Sequence, residues 1–287
     1  NLILMISIAY HTITWRDNVQ AALTNIAQAG FKAFETFSFP PIATDTWPGY
    51  VSRLTNAYKN QKDTYLETEA YKSPQELIRL MDKYELKMAS MYCSGLFIDP
   101  GLQEYEQQAI INAMHFVREI GCRHLILGGG MNLDGIYTNS DYNRFYEALH
   151  VIGQACKEVG ILACYHPHSG TMVETGDQLD QFCRETDGAL IALAPDIAHL
   201  VRGETDPVDT IYKYADRIQY IHLKDIRDNE FYELGEGLID LPGVVQALKD
   251  IAYNGWAVVE LDDTTHTPLE SAMISRKYIE DELSLTL

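Results

Sequence analysis

The chain has 287 residues, 46% of them apolar, and a formal net charge of −19. That length suits one large domain with a sizeable core, and the acidic balance argues against nucleic acid and anionic membrane as partners. No apolar run reaches the roughly 18 residues of a membrane span, and the charge balance says little about a small neutral substrate.

Leu2 to Ile6 are apolar but lack a basic flank and a cleavage site, so they read as barrel-strand sequence rather than as a signal peptide. The five cysteines are odd in number and show no CxxC spacing, which predicts reduced thiols and a cytoplasmic location. Residues 5–9 are the expected first strand, ending in Tyr10 and His11, with Trp15 beyond. Helical spacing over 19–29 stops at Gly30, a C-cap signal. Residues 31–37 form the second expected strand, with Glu35 the only charge in its second half. Segment 38–72 is long for a strand-to-helix connection and carries Pro40, Pro41, Trp47, Pro48 and several tyrosines; an ordered lid is expected there. Ser73-Pro74-Gln75-Glu76 reads as a capping box opening a helix to Tyr84.

Further strands are expected at 86–92, 123–127, 161–165, 189–194, 217–224 and 256–260. Helices are expected at 104–120, 142–159, 175–186 and 241–252, and a last one opens at the capping box Thr267-Pro268-Leu269-Glu270. Between the sixth and seventh strands, Asp206 reads as an N-cap, Pro207 as the first helical residue and Asp209 as first-turn charge. Gly128-Gly129-Gly130 lacks the GxGxxG spacing of a dinucleotide site and is expected to be a tight turn bringing backbone near a ligand. Eight strands alternating with about eight helices specify an α/β fold, the (β/α)8 TIM barrel, as a single domain over residues 1–287.

A closed barrel gathers its strand ends around one mouth. Strand five brings His166 and His168, strand six Asp196 with His199 after it, strand seven His222 and Lys224, and strand eight Glu260. Oxygen and imidazole ligands without thiolate suit Mn²⁺, Co²⁺, Zn²⁺ or Mg²⁺. Alternation places Tyr220, His222 and Lys224 on one face of strand seven, and Trp256, Val258 and Glu260 on one face of strand eight. The competing readings are ordinary: a strand-end carboxylate also caps helices, and a lone histidine is more often scaffold than ligand.

Asp196-Ile197-Ala198-His199, the run from Arg217 through His222 to Asp225, and Gly255-Trp256 leading to Glu260 resemble the signature of the xylose-isomerase-like barrel superfamily of sugar isomerases and epimerases. The resemblance implies that Asp196, His222 and Glu260 are metal ligands. Where most members carry a glutamate on strand five, this chain has Tyr165-His166-Pro167-His168, then Ser169-Gly170-Thr171-Met172-Val173-Glu174. That run is similar to the myo-inosose-2 dehydratase branch of inositol catabolism, and the segment from Gly235 to Pro242 looks like one shared by many members. The fourth ligand stays open between His166 and His168, with Glu174 third.

The expected activity is a metal-dependent lyase. A proton next to a ketone is removed to give an enediolate, and the β-hydroxyl leaves as water. Glu260 and Glu174 are candidate bases, and Lys224 and His199 candidate acids or oxyanion stabilisers. Glu35, His11, Trp15 and Trp47 are candidate contacts for a sugar or cyclitol substrate, with a salt bridge the alternative for Glu35 and the core the alternative for the two tryptophans. An isomerase or epimerase shares the first half of this chemistry, and a non-catalytic sugar-binding barrel would need no metal. A homo-oligomer is left open.

Overall fold

The structure is a computed structural model that describes residues 6–16, 18–38, 73–131 and 135–287. The expected lid, from residue 39 on and with it Trp47, lies outside the described residues.

Eight parallel strands form the barrel wall: β1 (Ser7–His11), β2 (Ala33–Ser38), β3 (Lys87–Gly95), β4 (His124–Gly129), β5 (Leu162–Tyr165), β6 (Ile191–Leu193), β7 (Tyr220–Leu223) and β10 (Trp256–Val259). Their order in the sheet is β6-β5-β4-β3-β2-β1-β10-β7. The wall closes between β6 and β7 through parallel bridges, Leu193 with Ile218 and Asp196 with His222. The backbone bonds of this seam are Leu193 N–H to Arg217 O at 2.7 Å and His222 N–H to Pro195 O at 2.9 Å. The fold is the (β/α)8 barrel expected from the alternation of strands and helices.

The helices are α1 (Val19–Gln28), α2 (Pro74–Tyr84), α3 (Gln103–Ile120), α4 (Asn139–Glu158), α5 (Gly176–Glu185), α6 (Ile197–Arg202), α7 (Pro207–Lys213), α8 (Leu241–Asp250) and α9 (Pro268–Asp281). Side-chain oxygens start most of them, as local chemistry requires. Asp206 accepts from Asp209 N–H at 2.8 Å, and Thr138, Thr175 and Thr267 each complete a reciprocal capping box. Ser73 accepts from Glu76 N–H at 3.4 Å to start α2.

Two cores result. The larger lies between strands and helices; it holds Phe34, Leu127, Phe145, Ile152, Phe182 and Leu248. The smaller fills the barrel with Ala9, Ala33, Ala89, Ile126, Cys164, Ala192, Ala194, Tyr220 and Val258. So many alanines leave space for Tyr220 beneath the mouth, with Tyr92 and Trp256 packed against the cluster.

Several expectations change. The glycine triplet is no separate turn: Gly128 and Gly129 complete β4, and a Cβ on Gly128 would stand 1.8 Å from the Tyr92 hydroxyl. The space it leaves is taken by protein. Positive φ at Gly129 (101°) and Gly130 (77°) then turns the chain. An antiparallel hairpin, β8 (Asp225–Arg227) and β9 (Glu230–Tyr232), follows β7 in a stretch for which no element was expected, and α6 follows β6 directly. Among the described residues no helix is long and apolar enough to cross a membrane.

Candidate active site

Asp196 ends the run after β6 and starts α6. Its Oδ1 accepts from Ala198 N–H at 2.8 Å and His199 N–H at 3.1 Å. Its Oδ2 is buried, has no hydrogen-bond partner, and lies 3.3 Å from Lys224 Nζ, an ion-pair distance without hydrogen-bond geometry. The bridge between Asp196 and His222 sets the two residues side by side across the barrel seam.

His222 points into the barrel with no exposed side-chain surface. Its Nε2 lies 3.0 Å from Glu35 Oε1, and its Nδ1 lies 2.8 Å from His166 Nδ1 and 3.4 Å from Glu260 Oε2. Burial disfavours charge on His222, but Glu35 and Glu260 outweigh it and raise its pKa to about 9. His166 is pushed well below the ordinary histidine range, by burial first and by His222 second.

Lys224 is fully buried. Its ammonium lies 2.7 Å from Glu260 Oε1 and 3.0 Å from Asp262 Oδ2. Burial would lower its pKa; Asp196, Asp262 and Glu260 override that and raise it well above the ordinary value. Burial likewise opposes ionisation of Glu260, and Lys224 and His222 reverse the balance, so Glu260 stays ionised. Phe231, carried over the mouth by the hairpin, lies 4.5 Å from Lys224 Nζ, with the Arg202 guanidinium 3.7 Å from the same ring.

Nitrogen and oxygen atoms of His166, Asp196 and His222 fall within 4.8 Å of one another. Ligand atoms around an ion with bonds of about 2.1 Å stand roughly 3.0–3.4 Å apart. His222 Nδ1 to Glu260 Oε2 at 3.4 Å meets that spacing, His222 Nδ1 to His166 Nδ1 at 2.8 Å falls just below it, and Asp196 Oδ2 carries no hydrogen bond, so the four residues fit such a donor set. His168 falls instead into a trio with His166 and His199. Its ring is 3.5 Å from that of His199, centroid to centroid, and its Nδ1 donates to Ser169 O at 2.6 Å. His199 Nδ1 is 2.8 Å from Ser169 Oγ, while its Nε2 is buried and unpartnered.

Other expected residues lie elsewhere. Glu174 joins none of the clusters among the described residues. Its N–H is held by the Gln178 side chain at the start of α5, and its carbonyl packs against Gly203. Trp15 is core: its indole N–H donates to Asn25 Oδ1 at 2.8 Å and its ring packs edge-on against Tyr10. His11 is buried, with Nδ1 accepting from Ile13 N–H and Nε2 at 3.3 Å from Glu35 Oε1. Glu35 has no exposed surface, and both its oxygens are occupied by protein, so neither residue has an atom left for a substrate hydroxyl. Asp262 and Phe231 were not anticipated. Asp262 was the more readable, since it lies two residues past Glu260, where alternation returns a side chain to the same face.

The family described as xylose isomerase-like TIM barrel matches residues 23–282. An inosose dehydratase of Geobacillus kaustophilus (strain HTA426) is 30% identical over 242 residues, which span 72% of this chain and 78% of that enzyme. An inosose dehydratase of Clostridium tetani (strain Massachusetts / E88) is 27% identical over 276 residues, 85% of this chain and 92% of that one. Among solved structures, a D-allulose 3-epimerase from Methylomonas sp. superposes with a TM-score of 0.73 at 18% identity, covering 96% of this chain and 97% of that one. At that identity the likeness is one of fold.

Proposed function

The chain belongs to the xylose isomerase-like TIM barrel family, and we propose that it is a divalent-metal-dependent dehydratase acting on a keto-polyol such as an inosose. It is an enzyme of the sugar dehydratase or isomerase/epimerase kind, like its relatives. Elimination here would be served by a bound cation, with a small cyclitol of inositol catabolism as substrate.

The observation that carries the choice is Lys224. An isomerase and a dehydratase both need a base for the proton next to the ketone. Elimination also needs a proton for the departing hydroxide. Lys224 places a buried ammonium 2.7 Å from Glu260, so an acid stands beside the base.

Asp196, His222, Glu260 and His166 would hold the cation, one of Mn²⁺, Co²⁺, Zn²⁺ or Mg²⁺; when bound it supplies Lewis-acid polarisation of the ketone. The proton transfers fall to the side chains. Glu260 takes the proton from the carbon next to the carbonyl, and the C–H electron pair becomes the enediolate double bond. Lys224 gives a proton to the β-hydroxyl, which leaves with the C–O electron pair as water. Asp262, 3.0 Å from Nζ, holds the ammonium in place until it gives up its proton. His199, whose Nε2 has no protein partner, is the candidate donor to developing oxyanion charge.

The test is turnover of inosose by the metal-loaded protein. Loss of ketone with growth of dione absorbance, abolished by a chelator, is the expected result. Recovery of an isomer of unchanged mass would replace the dehydratase reading with an isomerase or epimerase.

A further inference from the structure

Glu35 sits where four barrel strands bring polar groups together. In the sheet register His11 on β1 lies directly across from it. On the β3 side the register slips by one: Phe34 pairs with Met88, but Glu35 pairs with Ser90. Such irregularities re-aim side chains next to active sites. Ala89 already faces the barrel interior, so strict alternation would turn Ser90 outward. The slip turns it inward, onto the carboxylate.

The contacts saturate that carboxylate. Oε1 faces His11 Nε2 at 3.3 Å and His222 Nε2 at 3.0 Å. Oε2 accepts from Ser90 Oγ and Tyr220 Oη, each at 2.5 Å. The proton positions follow from the partners. His11 Nδ1 accepts a backbone N–H at 2.9 Å, so its own proton is on Nε2 and points at Glu35. An ionised carboxylate only accepts, so His222 must also present N–H at Nε2. That leaves His222 Nδ1, on the side of His166, Glu260 and Asp196, as the nitrogen a cation would take, in exchange for the proton it shares with His166 at 2.8 Å.

We propose that Glu35 is a positioning residue that fixes the ring orientation and tautomer of His222, so that Nδ1 is the ligand nitrogen of the cation. The inference rests on the metal centre proposed above and adds what builds it. Metal-binding histidines characteristically donate their second N–H to a carboxylate, which orients the ring and strengthens it as a ligand. His11, Glu35 and Glu260 also bring ligand atoms within 4.8 Å of one another, but with both oxygens engaged by protein Glu35 acts through His222. Ser90, Tyr220 and His11 hold it in turn, which is why the arrangement needs β1, β2, β3 and β7 together.

Glu35→Gln keeps the shape and removes the charge. The full chain, stripped with a chelator, is titrated with Mn²⁺ and with Zn²⁺ by calorimetry. The expected result is a loss of about 10- to 100-fold in affinity, with an unchanged far-ultraviolet circular dichroism spectrum. A purely structural role would not move a second readout, the ¹⁵N resonances of His222 in the zinc-loaded protein. Wild type should show the proton on Nε2 and the metal on Nδ1, and the Nε2–H signal should shift in the variant. Should Glu35→Gln not fold, Ser90→Ala with Tyr220→Phe loosens the carboxylate without removing it and should give a smaller loss. A folded Glu35→Gln chain, or failing that a folded double variant, that binds Mn²⁺ as tightly as wild type overturns the role of Glu35 alone. So does a proton found on Nδ1 in the zinc-loaded wild type. Wild type that binds no ion overturns the metal centre and this inference with it.

Discussion

His222 keeps its proton in a place that should strip it. Burial works against an imidazolium, and the Glu35 and Glu260 carboxylates hold the pKa at about 9 all the same. Its neighbour His166 is kept neutral, so His222 Nδ1–H donates to His166 Nδ1 across 2.8 Å. A proton therefore occupies the position where a cation would bond, and a cation binding at Nδ1 must displace it. In the metal-free chain the charged form prevails below about pH 9, so binding there releases a proton. The apparent affinity should rise about tenfold per pH unit from neutrality to pH 9 and level off above. Calorimetry in two buffers of different ionisation heat at pH 7 should count roughly one proton released per ion. Zero release would mean that Nδ1 is not the ligand. The same raised pKa adds stability to the metal-free chain that is fully present below 6.5 and lost as pH climbs through about 9.

Elements beyond the strand ends depend on another buried carboxylate. Asp225, at the start of β8, accepts from Ile226 N–H at 2.9 Å, Gly235 and Gly237 N–H at 3.0 Å and Ile239 N–H at 3.1 Å. It thereby folds segment 233–239 back over the hairpin that carries Phe231 to Lys224. Gly237 is glycine because a Cβ there would stand 2.1 Å from Asp225 Oδ1 and 2.6 Å from Ile226 N. Asp225→Ala strands several amide donors and should cost about 3 kcal/mol in urea unfolding, with faster hydrogen exchange confined to 226–239. A change within about 0.5 kcal/mol would show that water replaces the carboxylate without loss. The sequence displayed half of this device. The stretch from Gly235 to Pro242 stood out and Asp225 closed the run that resembles the family signature, but strands of three residues such as β8 and β9 are too short to show a period. Helix starts were legible because capping is local: Asp206, Thr175 and Thr267 act within three residues of themselves.

For the whole barrel, the eight strands were legible as short apolar runs between turn signals, and the gathering of Asp196, His222 and Glu260 follows from closure. Lateral register was not legible, because it is set between strands far apart in sequence. The slip beside Glu35 brings Ser90 onto its carboxylate, and no local pattern in the sequence announces it. The seam between β6 and β7 is equally non-local, and β6 is only three residues long. Asp196 lies on one side of that seam and His222 on the other, with Glu260 just past β10. A cation held by all three would tie the seam together, and binding to the folded chain alone stabilises it by mass action. At a hundred times its dissociation constant the gain is about 2.7 kcal/mol, and for a chain of this size that corresponds to a rise in Tm of roughly 5 °C. Asp196→Asn is the informative variant. Its amide oxygen can still cap α6 in place of Oδ1, so the helix start survives, while the charged ligand is gone. Differential scanning fluorimetry with Mn²⁺ should show the shift in wild type, its reversal by chelator and its loss in Asp196→Asn. An equal shift in the variant would place the ion away from the barrel mouth, and the seam would then owe its closure to its backbone bonds and the Asp196–Lys224 pair.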